Sequence, residues 1–191
     1  GRIQCGGGVW TGAAIRFVKD NGTSGDKHSR LELYSNNGYS TNVGLVVQPD
    51  GEVTTPLQPA FKCSIGSDTS PNNGVVSENN GFTLNSTSGR DAFNTGSHFD
   101  EATGRFTAPV TGLYFFHFSV MRHSNNGSGP IEMRIRKNSS TMWARAYKGS
   151  YTASYQSDNV TTITNMTAGH YVEFYIGSNM SVYFDDSYML G

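Results

Sequence analysis

The sequence predicts an all-β protein, and three observations lead to that prediction. Glycine, serine, threonine and asparagine make up about two-fifths of the 191 residues, and all four are weak helix formers. Apolar residues alternate with polar ones in short runs, and no segment repeats with a helical period. Turn dipeptides such as Asn-Gly and Asp-Gly separate these runs. An aromatic share of 12% is large enough to build a core, which argues against a disordered chain.

The composition also limits the partners that we expect. The formal net charge is −1 and no run of lysine or arginine is present, so we expect no nucleic-acid partner. No stretch approaches 18 apolar residues, so we expect no membrane insertion. Cys5 and Cys63 could form at most one disulfide, and two free thiols are the simpler interpretation.

Residues 1–57 begin the chain with short β segments at residues 14–18, 30–34 and 44–48. Three short strands with little apolar mass would not be stable alone in water. Such a segment needs partners, and copies of itself from neighbouring chains would supply them. Pro56 and Pro59 then stiffen an extended linker. We therefore predict a β-rich stem at 1–57 and a separate head domain at 58–191.

The head is expected to contain eight to ten strands, arranged as an antiparallel β-sandwich or jelly roll. Its longest apolar run lies within residues 104–121, and it is apolar on both strand faces. Such a strand is expected to be central and covered on both sides. One face carries Tyr114, Phe116, Phe118 and Val120, and the other carries Leu113, Phe115, His117 and Met121.

Motifs that would support catalysis are sparse, and we predict that the protein is not an enzyme. The five histidines are scattered without metal-ligand spacing, and neither a phosphate-binding loop nor a nucleophile elbow occurs. Asp185 and Asp186, beside Ser187, are a candidate Ca²⁺ site because carboxylate oxygens are the ligands that this ion prefers. The alternative is a solvated turn before the last strand. No other cofactor is indicated.

Receptor contacts are expected on loops, because packing fixes the core strands. The candidate loops are 66–81, 122–130 and 148–158. The third carries Tyr151 and Tyr155 among small polar residues, a pattern that suits glycan binding through stacking and hydrogen bonds. Arg122 and His123 are candidate contacts for anionic sugar groups. The alternative is that both tyrosines pack at a subunit interface.

Residues 93–116 resemble the signature of the complement-component-q globular head, which belongs to the tumour-necrosis-factor-like superfamily. That signature is G-x-F-x-x-P-x-x-G-x-Y-x-F, and residues 184–190 resemble the closing strand of the same family, except that its glycine is replaced. The resemblance implies a ten-strand antiparallel jelly-roll sandwich that forms a homotrimer and acts by binding. The signature positions are Gly104, Phe106, Pro109, Gly112, Tyr114 and Phe116.

Residues 44–61 are similar to passages that join bacteriophage tail-fibre shafts to complement-like tips. This resemblance implies a homotrimeric tail-fibre tip, located on the virion and attached to an upstream fibre shaft. Its distal loops would recognise a host cell-surface glycan or protein receptor. Two alternatives stay open: a secreted or spore-surface lectin or structural protein with a complement-like head, and a fibre-borne glycan depolymerase.

Overall fold

The structure is a computed structural model, in which contacts divide the chain into two compact units, Gly1–Gln58 and Pro59–Gly191. Residues 2–5, 122, 131, 148 and 182–190 are described by their backbone alone. The described residues as a whole are 2–5, 13–19, 25, 27–36, 40–65, 74–86, 92–122, 130–149, 156–177 and 182–191.

The N-terminal unit is one antiparallel sheet in which five strands follow in chain order. Within the described residues of this unit, the buried apolar side chains are Ala14 and Val46. One sheet without a second layer cannot enclose a core, so most of its apolar residues stay accessible. The strands are β1 Arg2–Cys5, β2 Ala13–Lys19, β3 Ser29–Asn36, β4 Thr41–Val47 and β5 Val53–Thr54.

The strand register places six apolar residues of β2, β3 and β4 in two rows on one face of this sheet, which we call the stem apolar face. Ile15 and Leu33 are each 38% exposed, and Phe17 is 53% exposed. Leu31 and Leu33 alternate with Arg30, Glu32 and Tyr34 in the sequence, as expected for one face of a strand, and the register agrees. The first row is Phe17, Leu31 and Val47, and the second is Ile15, Leu33 and Leu45.

The opposite face of the N-terminal sheet buries a charged residue, Glu32, which is only 5% exposed. Its carboxylate accepts hydrogen bonds from Arg30 Nε at 2.7 Å and from Tyr34 Oη at 2.6 Å. The hydrogen bond from Tyr34 and the neighbouring arginines lower the pKa of this carboxyl, although burial opposes the shift. Glu32 therefore stays ionised inside the sheet.

The head is a sandwich of two six-stranded sheets. The first sheet has the order β15-β12-β17-β6-β8, with β9 beside β6, and the second has the order β10-β11-β16-β13-β14, with β7 beside β16. All these pairings are antiparallel, and the prediction of an all-β jelly-roll sandwich is confirmed. The strands are β6 Ala60–Ile65, β7 Gly74–Val75, β8 Leu84–Asn85, β9 Phe93–Thr95, β10 Phe99–Asp100, β11 Arg105–Thr107, β12 Gly112–Arg122, β13 Ile131–Lys137, β14 Thr141–Lys148, β15 Gln156–Met166, β16 Tyr171–Ile176 and β17 Val182–Leu190.

Aromatic rings from both sheets fill the core between them. Phe61 of the first sheet stacks on Phe99 of the second, with ring centres 4.4 Å apart. Phe174 of the second sheet meets Phe116 and Phe118 edge to face. Such offset and edge contacts are the geometries that aromatic pairs favour. The apolar residues at alternate positions of β16 are all buried: Val172, Phe174 and Ile176.

Gly104 shows why the signature sequence needs glycine. Its backbone has φ +66°, and a Cβ atom added there would lie 2.1 Å from the carbonyl oxygen of Val76. Two residues later in the signature, Phe106 is fully buried. Tyr114 donates a hydrogen bond to the carbonyl oxygen of Val110 at 2.8 Å. The signature is therefore a packing motif of the head.

Part of the first predicted recognition loop is packed against the head. Residues 66–73 lie outside the described residues, but Val75 pairs with Tyr175 of β16, and Val76 is fully buried. A short 3₁₀ helix, Glu78–Asn80, follows. Val76 and Ser77 are both buried, so this part of the loop cannot serve as a contact surface.

The described cysteine side chain is that of Cys63, a free and fully buried thiol. Burial raises the pKa of this thiol to about 12. It therefore stays protonated at neutral pH and acts as a small core residue. The side chain of Cys5 lies outside the described residues.

Candidate functional site

Most of the predicted receptor contacts lie outside the described residues. This holds for Tyr151, Tyr155 and His123, and only the backbone of Arg122 is described, at the end of β12 opposite Gln156. The structure does not test whether these four residues form one site. That assignment stays a prediction.

The candidate Ca²⁺ ligands Asp185 and Asp186 lie within strand β17, and the alternative of a turn before the last strand is wrong. Pairing with β12 is irregular between Ser119 and Met121, which is the part of the ladder that these two residues face. Among residues whose side chains are described, no group of three or more histidine, cysteine, aspartate or glutamate side chains is arranged to hold a metal. The described part of the chain also has no helix of the length and apolarity that a membrane span requires.

The outer face of the first head sheet carries large apolar side chains that this chain leaves uncovered. Leu113 and Phe115 on β12 are 76% and 51% exposed, and Ile163 on β15 is 70% exposed. Phe115 and Ile163 are direct cross-strand partners. We call these three residues the head apolar face. The sequence correctly predicted that the inner face of β12 is buried, but its expectation that both faces are covered is not met within one chain.

His117 continues the same face along β12, opposite Thr161. Its Nδ1 lies 2.8 Å from Thr161 Oγ1. Partial burial lowers the pKa of this imidazole, because the charged form loses hydration. His117 is therefore neutral at pH 7.

The outer face of the second head sheet is polar and charged. Strands β11, β16 and β13 bring Arg105, Glu173 and Arg136 into one cross-strand row. Glu173 is only 1% exposed. Its Oε1 lies 2.9 Å from Arg105 Nη2, and its Oε2 lies 3.1 Å from Arg136 Nη2. Ser139 also donates a hydrogen bond to Oε1 at 3.1 Å.

A second ion-pair cluster lies beside this row. Glu132 of β13 is paired with Arg134 on its own strand and with Arg145 on β14. The hydrogen bond from Arg134, together with the charges of both arginines, lowers the pKa of the Glu132 carboxyl. The carboxylate therefore stays ionised although only 7% of the residue is exposed.

Tyrosine rings fill the spaces between these arginines. The guanidinium carbon of Arg105 lies 4.3 Å from the ring centre of Tyr171. Arg136 and Arg134 lie over the ring of Tyr175 at 4.0 and 5.1 Å. Cation–π contacts of this kind orient the guanidinium groups. We call this surface the arginine–tyrosine face; it consists of Arg105, Glu132, Arg134, Arg136, Arg145, Tyr171, Glu173 and Tyr175.

Sequence patterns alone did not reveal the arginine–tyrosine face, although the alternation that places its residues on the outer faces of two strands is visible in the sequence. Glu132, Arg134 and Arg136 alternate with apolar residues in the sequence of β13. Tyr171, Glu173 and Tyr175 alternate with apolar residues in β16 in the same way. What the sequence could not supply was the register that sets Glu173 opposite Arg105 and Arg136, because these partners are far apart in the chain.

Described residues of the N-terminal unit line two clefts of about 470 Å³ each. The first is lined by Ala14, Arg16, Tyr34 and Thr41. Arg16 Nη1 lies 3.4 Å from Tyr34 Oη, so a cation and a phenol meet in this cleft. The residues that line the second cleft are His28, Gln48, Pro49, Asp50 and Glu52.

Comparisons with known proteins agree with the fold and with the signature. The family model described as "C1q domain" matches residues 84–186. Complement C1q tumor necrosis factor-related protein 3 from Homo sapiens and from Mus musculus is 59% identical over 32 residues, which is 17% of this chain and 13% of each relative. Complement C1q tumor necrosis factor-related protein 6 from Rattus norvegicus is 64% identical over 33 residues, which is 17% of this chain and 12% of that relative.

These matches correct one prediction. The resemblance of residues 44–61 to tail-fibre passages predicted a location at the tip of a virion tail fibre. The curated relatives above are instead human, mouse and rat proteins. The predicted virion location is therefore wrong. The matched stretches span about an eighth of the length of these relatives.

Proposed function

The chain belongs to the C1q-domain family, and from that membership we propose that it is an extracellular, homotrimeric binding protein. C1q domains typically form homotrimers. This is the complement-like alternative of the sequence analysis, with a secreted location. Binding is proposed rather than catalysis.

The head apolar face is the observation that carries the proposal. Leu113, Phe115 and Ile163 are all more than half exposed in the single chain. They lie on two paired strands, so their exposed surfaces are contiguous. Contiguous apolar surface on a soluble domain marks an interaction site, and burial of that surface stabilises the complex. Two further copies of the chain would cover this face around a threefold axis.

The stem apolar face supports the same assembly. The N-terminal unit presents two apolar rows on a single sheet, and a single sheet with one uncovered apolar face is unstable in water. We propose that residues 1–57 form a stem whose apolar faces pack against one another in the trimer, and that residues 58–191 form the binding head.

Receptor contact is proposed for the loops at one end of the head. The candidates remain Tyr151 and Tyr155, with Arg122 and His123 for anionic sugar groups, because a tyrosine offers a large contact area with few rotamers. Each site would bind weakly, and three linked sites would raise the overall affinity through effective concentration.

The double substitution Tyr151→Ala and Tyr155→Ala tests this assignment. It should abolish cell-surface binding and leave the trimer mass unchanged. Dissociation of the trimer would instead assign both tyrosines to the subunit interface.

The assembly is tested by sedimentation equilibrium of the whole chain. A monomer has a mass of 20.7 kDa, and we expect three times 20.7 kDa. Phe115→Glu would bury a charge at the proposed interface, so it should dissociate the trimer. Met142→Glu is the matched control, because Met142 is 49% exposed and lies on the second sheet. A wild-type chain that sediments as a monomer would refute the proposed assembly.

A further inference from the structure

We infer that the arginine–tyrosine face binds an extended anionic polysaccharide that carries sulfate or carboxylate groups. This face lies on the second head sheet, away from the head apolar face on the first sheet. The inference rests on the proposed binding role and names a ligand class for it. It adds a binding surface on a sheet to the loops that are proposed above.

The face has an excess of positive charge. The row and cluster defined above contain four arginines and two glutamates. Asp100, on the edge strand β10 opposite Arg105, reduces the excess at that edge. Its carboxylate accepts hydrogen bonds from the backbone of Ala102 at 3.1 Å and from the Thr103 hydroxyl at 2.6 Å. Because the whole chain has a net charge of −1, this surface is a local positive region on a weakly acidic protein.

The arginines are both accessible and held in place. The side chains of Arg105 and Arg145 are 39% and 47% exposed, and that of Arg134 is 31% exposed. Ion pairs and tyrosine rings fix their guanidinium groups before any ligand arrives. A fixed guanidinium loses less conformational entropy on binding than a flexible lysine, and its fork matches the oxygens of a sulfate or carboxylate.

The geometry favours an extended chain over a compact ligand. Arg134 and Arg145 stand opposite each other on the neighbouring strands β13 and β14, which lie about 4.8 Å apart, and Arg134 and Arg136 occupy alternate positions along β13, about 6.6 Å apart. Arg105 lies on β11, beyond β16. Cations at these intervals on an open sheet can contact successive anionic groups of one polymer. The ring faces of Tyr171 and Tyr175 are already covered by guanidinium groups. Stacking of a neutral sugar on these rings is therefore disfavoured, and charge becomes the basis of recognition.

The test measures binding of the whole chain to heparin, a sulfated polysaccharide, with dextran as a neutral polysaccharide. We expect binding to heparin that weakens as NaCl is raised, because salt screens exposed charges, and no binding to dextran. Equal binding to both polymers, or no heparin binding at low salt, would overturn the inference. Binding to polyglutamate but not to heparin would also overturn it, because that result assigns the face to an acidic protein.

Substitutions locate the binding on this face. Arg145→Gln should weaken heparin binding about twofold to fivefold, as expected for one exposed ion pair. Arg145→Lys should recover part of the loss, because lysine keeps the positive charge but lacks the paired N–H donors of the guanidinium group. Lys62→Gln is the matched control: Lys62 lies on β6 of the first sheet and should have no effect. An equal loss for Lys62→Gln would mean that binding follows net charge alone, and the inference would fail.

Stability and assembly are measured beside binding. Arg145→Gln leaves Glu132 paired with Arg134, so we expect an unchanged melting temperature. The comparison of heparin with dextran uses the wild-type chain and does not depend on how a variant folds. Sedimentation of each protein shows the trimer independently, so failure of the proposed assembly and failure of the ligand assignment give different results.

Discussion

The two units of this protein share the same alternation of apolar and polar residues along their strands, but they bury their apolar side chains to different extents. In the head, two sheets face each other and exclude water from aromatic side chains such as Phe106 and Phe116, both 0% exposed. In the N-terminal unit, one sheet carries equally clear alternation, yet Phe17 remains 53% exposed. Alternation therefore decides which face of a strand is apolar, and a second layer decides whether that face is buried.

Each unit also buries glutamate among arginines. Glu32 in the N-terminal sheet and Glu173 in the head are 5% and 1% exposed. A buried carboxylate is tolerated when ion pairs and hydrogen bonds replace its lost hydration. The difference lies in the range of the contacts. Glu32 accepts its hydrogen bonds from Arg30 and Tyr34 on its own strand, and Arg16 of the neighbouring strand lies 3.9 Å from it. Glu173 depends entirely on partners outside its own strand, including Arg105 of β11 and Arg136 of β13.

The largest expected difference is in the unfolding of the two units after they are separated. We expect residues 59–191 to unfold cooperatively on their own, because both layers of their core are present. Residues 1–58 should not unfold cooperatively as a monomer, because their apolar face has no second layer. Circular dichroism during thermal unfolding of each fragment measures this. Cooperative unfolding of a monomeric 1–58 fragment would show that one sheet is enough.

Neighbouring phenylalanines on β12 sharpen the same contrast within the head. Phe116→Ala should lower the free energy of unfolding of residues 59–191 by about 3–5 kcal/mol, because it leaves a cavity in the core. Phe115→Ala should change it by less than about 1 kcal/mol, since Phe115 is 51% exposed in the single chain. Urea unfolding of residues 59–191, at protein concentrations low enough for the head to be a monomer, compares the two variants. Similar losses would contradict the assignment of opposite faces.

The signature glycines give a smaller and more local difference. Gly104→Ala should destabilise the head by about 2 kcal/mol, because its φ is +66° and a Cβ would meet the Val76 carbonyl oxygen. Gly112→Ala is the matched control, because no atom lies within 4 Å of its added Cβ. The control should change the free energy of unfolding by less than about 0.5 kcal/mol. Equal effects in urea unfolding would contradict a conformational role for Gly104.

Acidification should have the smallest effect on the stability of the head, and stability should fall in two steps. The pKa of His117 is lowered from its usual 6.5, so the unfolded chain takes up a proton more readily than the folded one. Stability is therefore lost as the pH falls below about 6.5. The pKa of Glu132 is lowered from its usual 4.5, so the stability that it contributes above that value is lost at lower pH.

Thermal unfolding of residues 59–191 between pH 7 and pH 2 measures both steps. His117→Gln should remove the first step and keep the second, because Glu132 and its arginines are unchanged. A first step that persists in His117→Gln would assign it to another group.

The sequence by itself determined the β class and the inward faces of the head strands. It also has prolines, Pro56 and Pro59, beside the boundary between the two units. These properties depend on neighbours within a few residues, since composition sets strand propensity and a period of two sets the buried side. It also supplied the C1q-like signature, in which Gly104 is required by local backbone geometry. The resemblance to tail-fibre passages covered residues 44–61 and led to a wrong location.

Only the tertiary structure decided how the remaining faces are used. The burial of Glu173 requires Arg105 and Arg136, which are 68 and 37 residues away along the chain, and no local pattern encodes that pairing. The exposure of Phe115 likewise depends on layer order, because no layer among the described residues of the head covers the outer face of β12. Both outcomes follow from strand register and layer order, which join distant residues and are therefore fixed only when the sheets assemble.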